Sequence, residues 1–292
     1  MILLILSRNA NLYSTQSLVR AAVSLGHEVQ VYDHMMCNII VEKSKPALMI
    51  GNDYFGHFDA VIPRIGASAT AYGAAIIRQL ESMGIFVTVT AEALMKARDK
   101  LHCLQILSAH GIDVPRTGIS AGDYCAPVVY DQISKERAVI KLLASTQGLG
   151  VILAQSKSQG VSIVEGFHRA GQEVLIQEFI SDARGSDIRA FVVDGEVVGS
   201  MVRQAVPGEF RSNIHRGASS FKIDLDPAEE ILALKATEIL GLKIAGVDIL
   251  RSKRGPLILE VNASPGLEGI EGTTGVNISE KIIRFVEKGV KN

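Results

Sequence analysis

Apolar positions along this chain change their spacing in an ordered way. Residues 2–6 (ILLIL) form a short apolar run that predicts a buried strand. Leu18, Ala22 and Leu25 then share a helical face, with Ser14 or Thr15 placed to cap it and Gly26 to end it. Residues 28–32 and 59–63 predict two more strands, Thr70 to Met83 a helix closed by Gly84, and 85–89 a further β-rich piece. Strands alternating with helices predict a small parallel α/β domain over residues 1–95.

Thr90 to His110 reads as helix with a break near Arg98-Asp99, ended by Gly111, and 118–135 as a polar connection with a short apolar patch. Residues 138–143 (AVIKLL) are a strand carrying one lysine, Lys141. A glycine loop, Ser145 to Gly150, and the apolar residues 151–154 follow. A helix is expected over 162–170 and a strand over 173–180. Residues 187–193 and 196–202 form a hairpin about Asp194-Gly195, a type I′ turn signal. A polar loop at 209–217 holds two arginines, an asparagine and a histidine. Pro227 to Leu240 is a helix stopped by Gly241, and 277–288 a last amphipathic helix.

Between those two helices, residues 246–266 (GVDILRSKRGPLILEVNASPG) read as two apolar strands joined by a charged turn near Lys253 to Gly255. Alternation puts Glu260 and Asn262 on one face and Leu259 and Val261 on the other, with Asp248 opposite Leu259 or Glu260 on the neighbouring strand. Carboxylates on such strands need a cation or basic partners, because an unpaired buried charge costs several kcal/mol. The donors are all oxygen, which favours magnesium with phosphate. Salt bridges from these acids to Arg251, Lys253 or Arg254 are the competing arrangement.

Composition narrows the classes. The 292 residues suit about two domains with ample core. Thirty basic residues against 31 acidic give no electrostatic footprint for nucleic acid. Three separated cysteines (Cys37, Cys103, Cys125) offer neither a disulfide framework nor a zinc site and fit a reducing compartment. No apolar run is long enough to span a membrane, and the six apolar residues at the start lack signal-peptide flanks, so a cytoplasmic protein is expected. The loop after the first strand (Ser7-Arg8-Asn9-Ala10-Asn11) has no glycine, and β-branched residues, not a helix, follow the later glycine loop. Both observations disfavour dinucleotide and Walker-type sites. Arg64, after a later strand, is a candidate substrate contact, as is the first loop.

In order along the chain stand SRN-x-x-LYS (7–14), DAVIPRIG (59–66), ARDKL (97–101), KLL-x-x-TQGLGV (141–151), EFRSN-x-HRG (209–217) and AGVDILRSKRGPLILEVNASPGLEGIE (245–271). With these motifs over essentially its full length, the chain resembles the ATP-grasp ligases. It is most similar to the RimK-type ligases that add L-glutamate to the C-terminus of a small-subunit ribosomal protein. The resemblance implies an α/β (α+β) ATP-grasp fold in three parts: residues 1–95, a central subdomain 96–180 with the glycine flap, and a C-terminal subdomain 181–292 with the metal site. It implies that Lys100 and Lys141 contact ATP phosphates, that Glu178, Phe179 and Ile180 hold the adenine, and that Asp187 binds the nucleoside side. Arg211, Ser212 and Asn213 would reach the triphosphate, with Arg211 acting in catalysis and Arg216 beside it. Asp248, Glu260 and Asn262 would hold two magnesium or manganese ions. The implied partners are L-glutamate, a ribosomal-protein tail and further copies of the chain in a homo-oligomer, for which the family's pattern suggests a tetramer. One departure is Ala144-Ser145, where many relatives carry a glycine next to the threonine. A ligase for a small metabolite or another carrier protein, and an ATP-binding module without catalysis, are the alternatives.

Overall fold

The protein is described by a computed structural model covering residues 1–143, 150–212 and 217–291. The glycine-loop residues 144–149, together with Asn213 and Arg216, lie outside the described residues.

The N-terminal region is a four-stranded parallel sheet in the order Glu28–Tyr32, Ile2–Leu6, Ala60–Pro63, Phe86–Val87, as the strand–helix alternation predicts. Leu3 to Leu6 are fully buried because helices Tyr13–Ser24 and Thr70–Ser82 help cover the sheet. Two details differ from the sequence reading. The first helix has no side-chain cap: Ser14 Oγ accepts from the Leu267 backbone N–H at 2.9 Å, and Thr15 shares a buried hydrogen bond with Ser7. A small antiparallel sheet of Cys37–Ile40, Ala47–Ile50 and Asp53–Tyr54 also sits in a stretch with weak patterning.

Asp99 breaks the long helical stretch as expected. Its backbone leaves the helical region (φ −81°, ψ 102°), so it ends Ala91–Arg98 and caps Lys100–Ala109, accepting from the His102 N–H. The second sheet, antiparallel, runs Val151–Ala154, Ala138–Leu142, Val174–Glu178, Thr117–Gly118. Helix Ala126–Ile133 supports it where the sequence suggested only a polar connection, its fully buried Tyr130 filling the space against helix Lys157–Arg169.

The third sheet orders Ser219–Lys222, Glu196–Gln204, Ser186–Val193, Ile244–Ser252 and Gly255–Asn262, all antiparallel. Asp194 and Gly195 both have positive φ (50° and 79°), the type I′ geometry expected of Asp-Gly. Alternation on the central strand divides its side chains cleanly. Ile188, Ala190 and Val192 pack with helices Ala91–Arg98, Lys100–Ala109 and Pro227–Leu240. On the other face Phe191 and Val193 pack against helices Glu268–Thr274 and Ile278–Lys291 and against the N-terminal sheet. Asp187 and Arg189 continue that second face past its apolar part, so half of one sheet face is left polar.

Candidate functional site

The polar half-face is built by register. Arg203 pairs across the strands with Asp187, Arg189 with Asp248, and Asp248 with Glu260. Cross-strand partners share a face, so these five side chains form a charged row over four strands. Asn262 lies two residues beyond Glu260, opposite Gly246.

A bulge sets the last pairing. The register shifts between Asp248 and Ile249, leaving Leu259 as the extra residue. Ile258 and Val261 therefore enter the core, and Leu259 does not join it as the alternation had predicted. Such a bulge re-aims a side chain, here placing Glu260 directly opposite Asp248.

Asp248 is buried and clamped. Arg189 donates to both its oxygens, from Nε and from Nη2 (2.8 Å), and Arg203 Nη2 lies 3.0 Å from Oδ2. Arg203 also donates twice to Asp187, at 2.7 and 2.5 Å. Burial opposes the charge on Asp248, but Arg189 and Arg203 outweigh it and hold the carboxyl below its usual range. Burial pushes Asp187 the other way, up, with Asp248 adding to the effect. Arg203 is raised above its usual value because Asp248 and Asp187 overcome its own desolvation. Gly246 makes room for the clamp: a Cβ there would lie 2.8 Å from Pro265 Cβ and 3.2 Å from Arg189 Cδ. The motif residues Arg251, Lys253 and Arg254 pair elsewhere, with Glu229, Asp182 and Glu178. The competing salt-bridge arrangement is thus absent among the described residues, and its place is taken by arginines from two other strands.

Glu260 is exposed, and neither it nor Asn262 makes a side-chain hydrogen bond or ion pair to a described residue. These two uncommitted oxygen donors beside an anchored carboxylate fit a hard divalent cation such as magnesium.

Two lysines face this row. Lys141, from the second sheet, is pushed down to about 8, chiefly by burial and partly by Lys100, while Glu260, Asp248 and Asp187 pull it back up. Lys100 donates to the Leu142 carbonyl (3.0 Å) and is lowered by burial. A lysine on an apolar strand is therefore turned toward the carboxylates of the opposing sheet.

Glu178 ends the Val174–Glu178 strand, and Phe179 and Ile180 follow it. Glu178 accepts from the Arg116 backbone N–H (2.6 Å) and pairs with Arg254. Phe179 packs under Arg137, 4.9 Å from guanidinium carbon to ring centre, and edge-on to Phe210 at 6.4 Å. Ile180 is buried with Leu257. Arg211 pairs with Glu209 (2.7 Å) and donates to the Val151 carbonyl (3.3 Å), tying its loop to the flap hairpin, and Ser212 is buried beside it. Cys103 is buried, and burial, reinforced by Glu260, pushes its thiol up to about 12, away from the thiolate form a nucleophile needs.

The sequence reading missed Arg189, Arg203 and Arg98. Arg189 carries a signal in retrospect, because Asp187 and Arg189 share a face of an otherwise apolar strand. Arg203 had no such mark until its register was known.

Two family models match the chain, a RimK PreATP-grasp domain over residues 1–94 and a RimK-like ATP-grasp domain over 97–286. A protein of Shewanella denitrificans named "Probable alpha-L-glutamate ligase 2" is 48% identical, covering 98% of this chain and 95% of that one. "Probable alpha-L-glutamate ligase" of Cellvibrio japonicus is likewise 48% identical over the same shares. Among solved structures, a RimK domain ATP-grasp protein from Sphaerobacter thermophilus aligns with TM-score 0.72 at 24% identity, covering 98% of this chain and all of that one. The ATP-grasp ligase PsnB, complexed with minimal precursor, Mg and ADP, aligns with TM-score 0.75 at 18% identity over 100% and 98% of the two chains. The last two likenesses establish the fold. The matched models and full-length relatives establish the family: this chain belongs to the RimK-like ATP-grasp family and is an ATP-dependent ligase.

Proposed function

We propose that this protein joins L-glutamate to the C-terminal carboxylate of a small-subunit ribosomal protein, in the cytoplasm, through an acylphosphate. The observation that carries the reading is the clamped Asp248 facing Glu260 across two strands, beneath Lys141. The full-length relatives named as glutamate ligases support the amino-acid substrate.

In the first step an acceptor carboxylate oxygen attacks the γ-phosphorus of ATP, the bond to the bridging oxygen breaks, and ADP leaves. In the second, the glutamate amine attacks the acyl carbon, loses a proton, and phosphate departs with the electrons of the C–O bond. Both steps depend on positioning and on offsetting negative charge. Lys100 and Lys141 supply positive charge at the phosphates, and Arg211, Ser212 and Asn213 close on them from the neighbouring loop. Glu178, Phe179 and Ile180 form the adenine side, with Asp187 toward the ribose. Asp248, Glu260 and Asn262 would hold two magnesium or manganese ions, which polarise phosphoryl oxygens when bound. Arg189 and Arg203 keep Asp248 ionised and aimed, a supporting role of the kind that outer-shell partners play at metal sites. Arg216 and His215 are assigned to orienting the acceptor carboxylate or the transition state. The working form is a homo-oligomer.

Glu260→Gln removes one anionic oxygen from the row. With glutamate and a glutamate-ended peptide, its ADP release falls about a hundredfold or more; unchanged turnover would overturn the metal assignment. Turnover with free small carboxylates in place of the peptide would move the acceptor to a metabolite. ATP binding without ADP release across both panels would make the chain a silent binding module.

A further inference from the structure

Where the N-terminal sheet meets the exit of the hairpin that carries Asp248 and Asn262, two arginines stand close together with no ion-paired carboxylate among the described residues. Arg64 follows the Ala60–Pro63 strand at its carboxyl end, the edge where open α/β sheets place ligands. Its Nη2 donates to the Pro265 carbonyl at 2.6 Å, just past the hairpin. Arg98, the last residue of its helix, donates from Nη2 to the Ile65 carbonyl. Its Nε is sealed from water with no acceptor among the described residues, and so is Oγ of Ser264, the residue before Pro265.

Neither guanidinium has an acid within 4 Å among the described residues. Burial and the charge of Arg98 together push Arg64 down to about 10. Arg98 is lowered by burial and is helped only by the more distant charge of Glu260. Each guanidinium has five N–H donors, and one is used on protein. Buried donors without acceptors are rare enough to require an explanation. Two adjacent cations and a hydroxyl, all short of an acceptor, match the oxygens of one carboxylate, which takes paired N–H bonds from arginine.

We propose that Arg64, Arg98 and Ser264 form a subsite for a non-reacting carboxylate of one of the two substrates, either glutamate or the acceptor peptide. The proposal rests on the ligase reading above for what the substrates are. The position suits the task, since Arg98 feels Glu260, so a carboxylate held here lies beside the metal row on the side of the N-terminal sheet. The ATP phosphates have their own cations in Lys100 and Lys141.

The test uses the full-length protein with ADP and magnesium, titrated calorimetrically with L-glutamate and with a glutamate-ended hexapeptide. Arg98→Gln, Arg64→Lys and Ser264→Ala are compared with the parent, and KM is measured for ATP and both substrates. A dissociation constant and KM raised about tenfold or more for one substrate, with the ATP values within about twofold, support the subsite. A rise for glutamate assigns the incoming amino acid; a rise for the peptide assigns the acceptor. Arg64→Lys keeps a donor for Pro265, and Ser264→Ala removes only an oxygen, so these two serve if Arg98→Gln fails to fold. Binding of both substrates within about twofold of the parent in all folded variants overturns the proposal. An equal loss of ATP affinity does so too, because it makes the cluster a phosphate site, and so does a parent that binds neither substrate. A parent that binds the carboxylates but releases no ADP with any pair defeats the ligase reading while the binding constants still judge the subsite.

Discussion

Two pairs of arginines flank the hairpin that carries Asp248, Glu260 and Asn262, and they are treated oppositely. Arg189 and Arg203 meet Asp187 and Asp248 through two-pronged hydrogen bonds, so two positive charges face two negative ones inside the sheet. Among the described residues, Arg64 and Arg98 hydrogen-bond only to backbone carbonyls. The first pair is satisfied by the fold and serves to hold a carboxylate in place. The second leaves positive charge and open donors at a junction between sheets. Charge that is balanced internally fixes geometry, whereas charge left unbalanced marks where an anion from outside is favoured.

The largest expected effect comes from breaking the balanced pair. Asp248→Asn leaves Arg189 and Arg203 with one acid between them, and removing one partner of a buried ion pair costs about 3–5 kcal/mol. Urea denaturation at neutral pH measures it, and a loss no larger than that of a surface substitution would break the comparison. The sign with pH follows from the depressed carboxyl of Asp248. Its contribution is present above the unfolded carboxylate value of about 4 and is lost as pH falls through the lower folded value, so the deficit of the variant shrinks in acid.

A smaller effect, of opposite sign, is expected at Lys141. Its folded value of about 8 lies below the reference 10.5, so the folded state binds fewer protons between the two and parental stability rises with pH there. Lys141→Met in the nucleotide-free protein is therefore more stable at pH 7, by about 1–3 kcal/mol. That advantage fades as pH rises from 8 toward 10.5. Denaturation at several pH values checks it, and a constant difference would remove the charge explanation. ADP release by the same variant falls.

The smallest effect is expected at the unbalanced pair. Arg98→Met removes a partly desolvated cation that has no acid within 4 Å among the described residues, and stability stays within about 1 kcal/mol of the parent. A loss comparable to that of Asp248→Asn would show that the two pairs are structural equals.

Much of this architecture is legible along the chain. Helix Pro227–Leu240 matches its expected limits because local signals define it: an Asp226–Glu229 capping box, proline in the first turn, and Gly241 with φ 72° at the end. The Asp194-Gly195 turn and the break at Asp99 are local in the same way. Helix Ala126–Ile133 was missed because its support is distant: Tyr130 is buried by a helix some 30 residues later. Ser14 looked like a cap because the competing N–H, that of Leu267, lies 253 residues away.

The candidate site divides along the same line. Sequence alone determined that Asp248, Glu260 and Asn262 belong to one hairpin of oxygen donors, because alternation and turn chemistry act over a few residues. It also placed a lysine on an apolar strand and arginines in motif loops. Only the tertiary structure decided that Glu260 faces Asp248, through a bulge that no alternation rule contains. Only it decided that Arg189 and Arg203 neutralise Asp248 while Arg64 and Arg98 have no described acid within 4 Å. Charge balance depends on distances between strands and domains far apart in the chain, and those distances exist only once the sheets have packed.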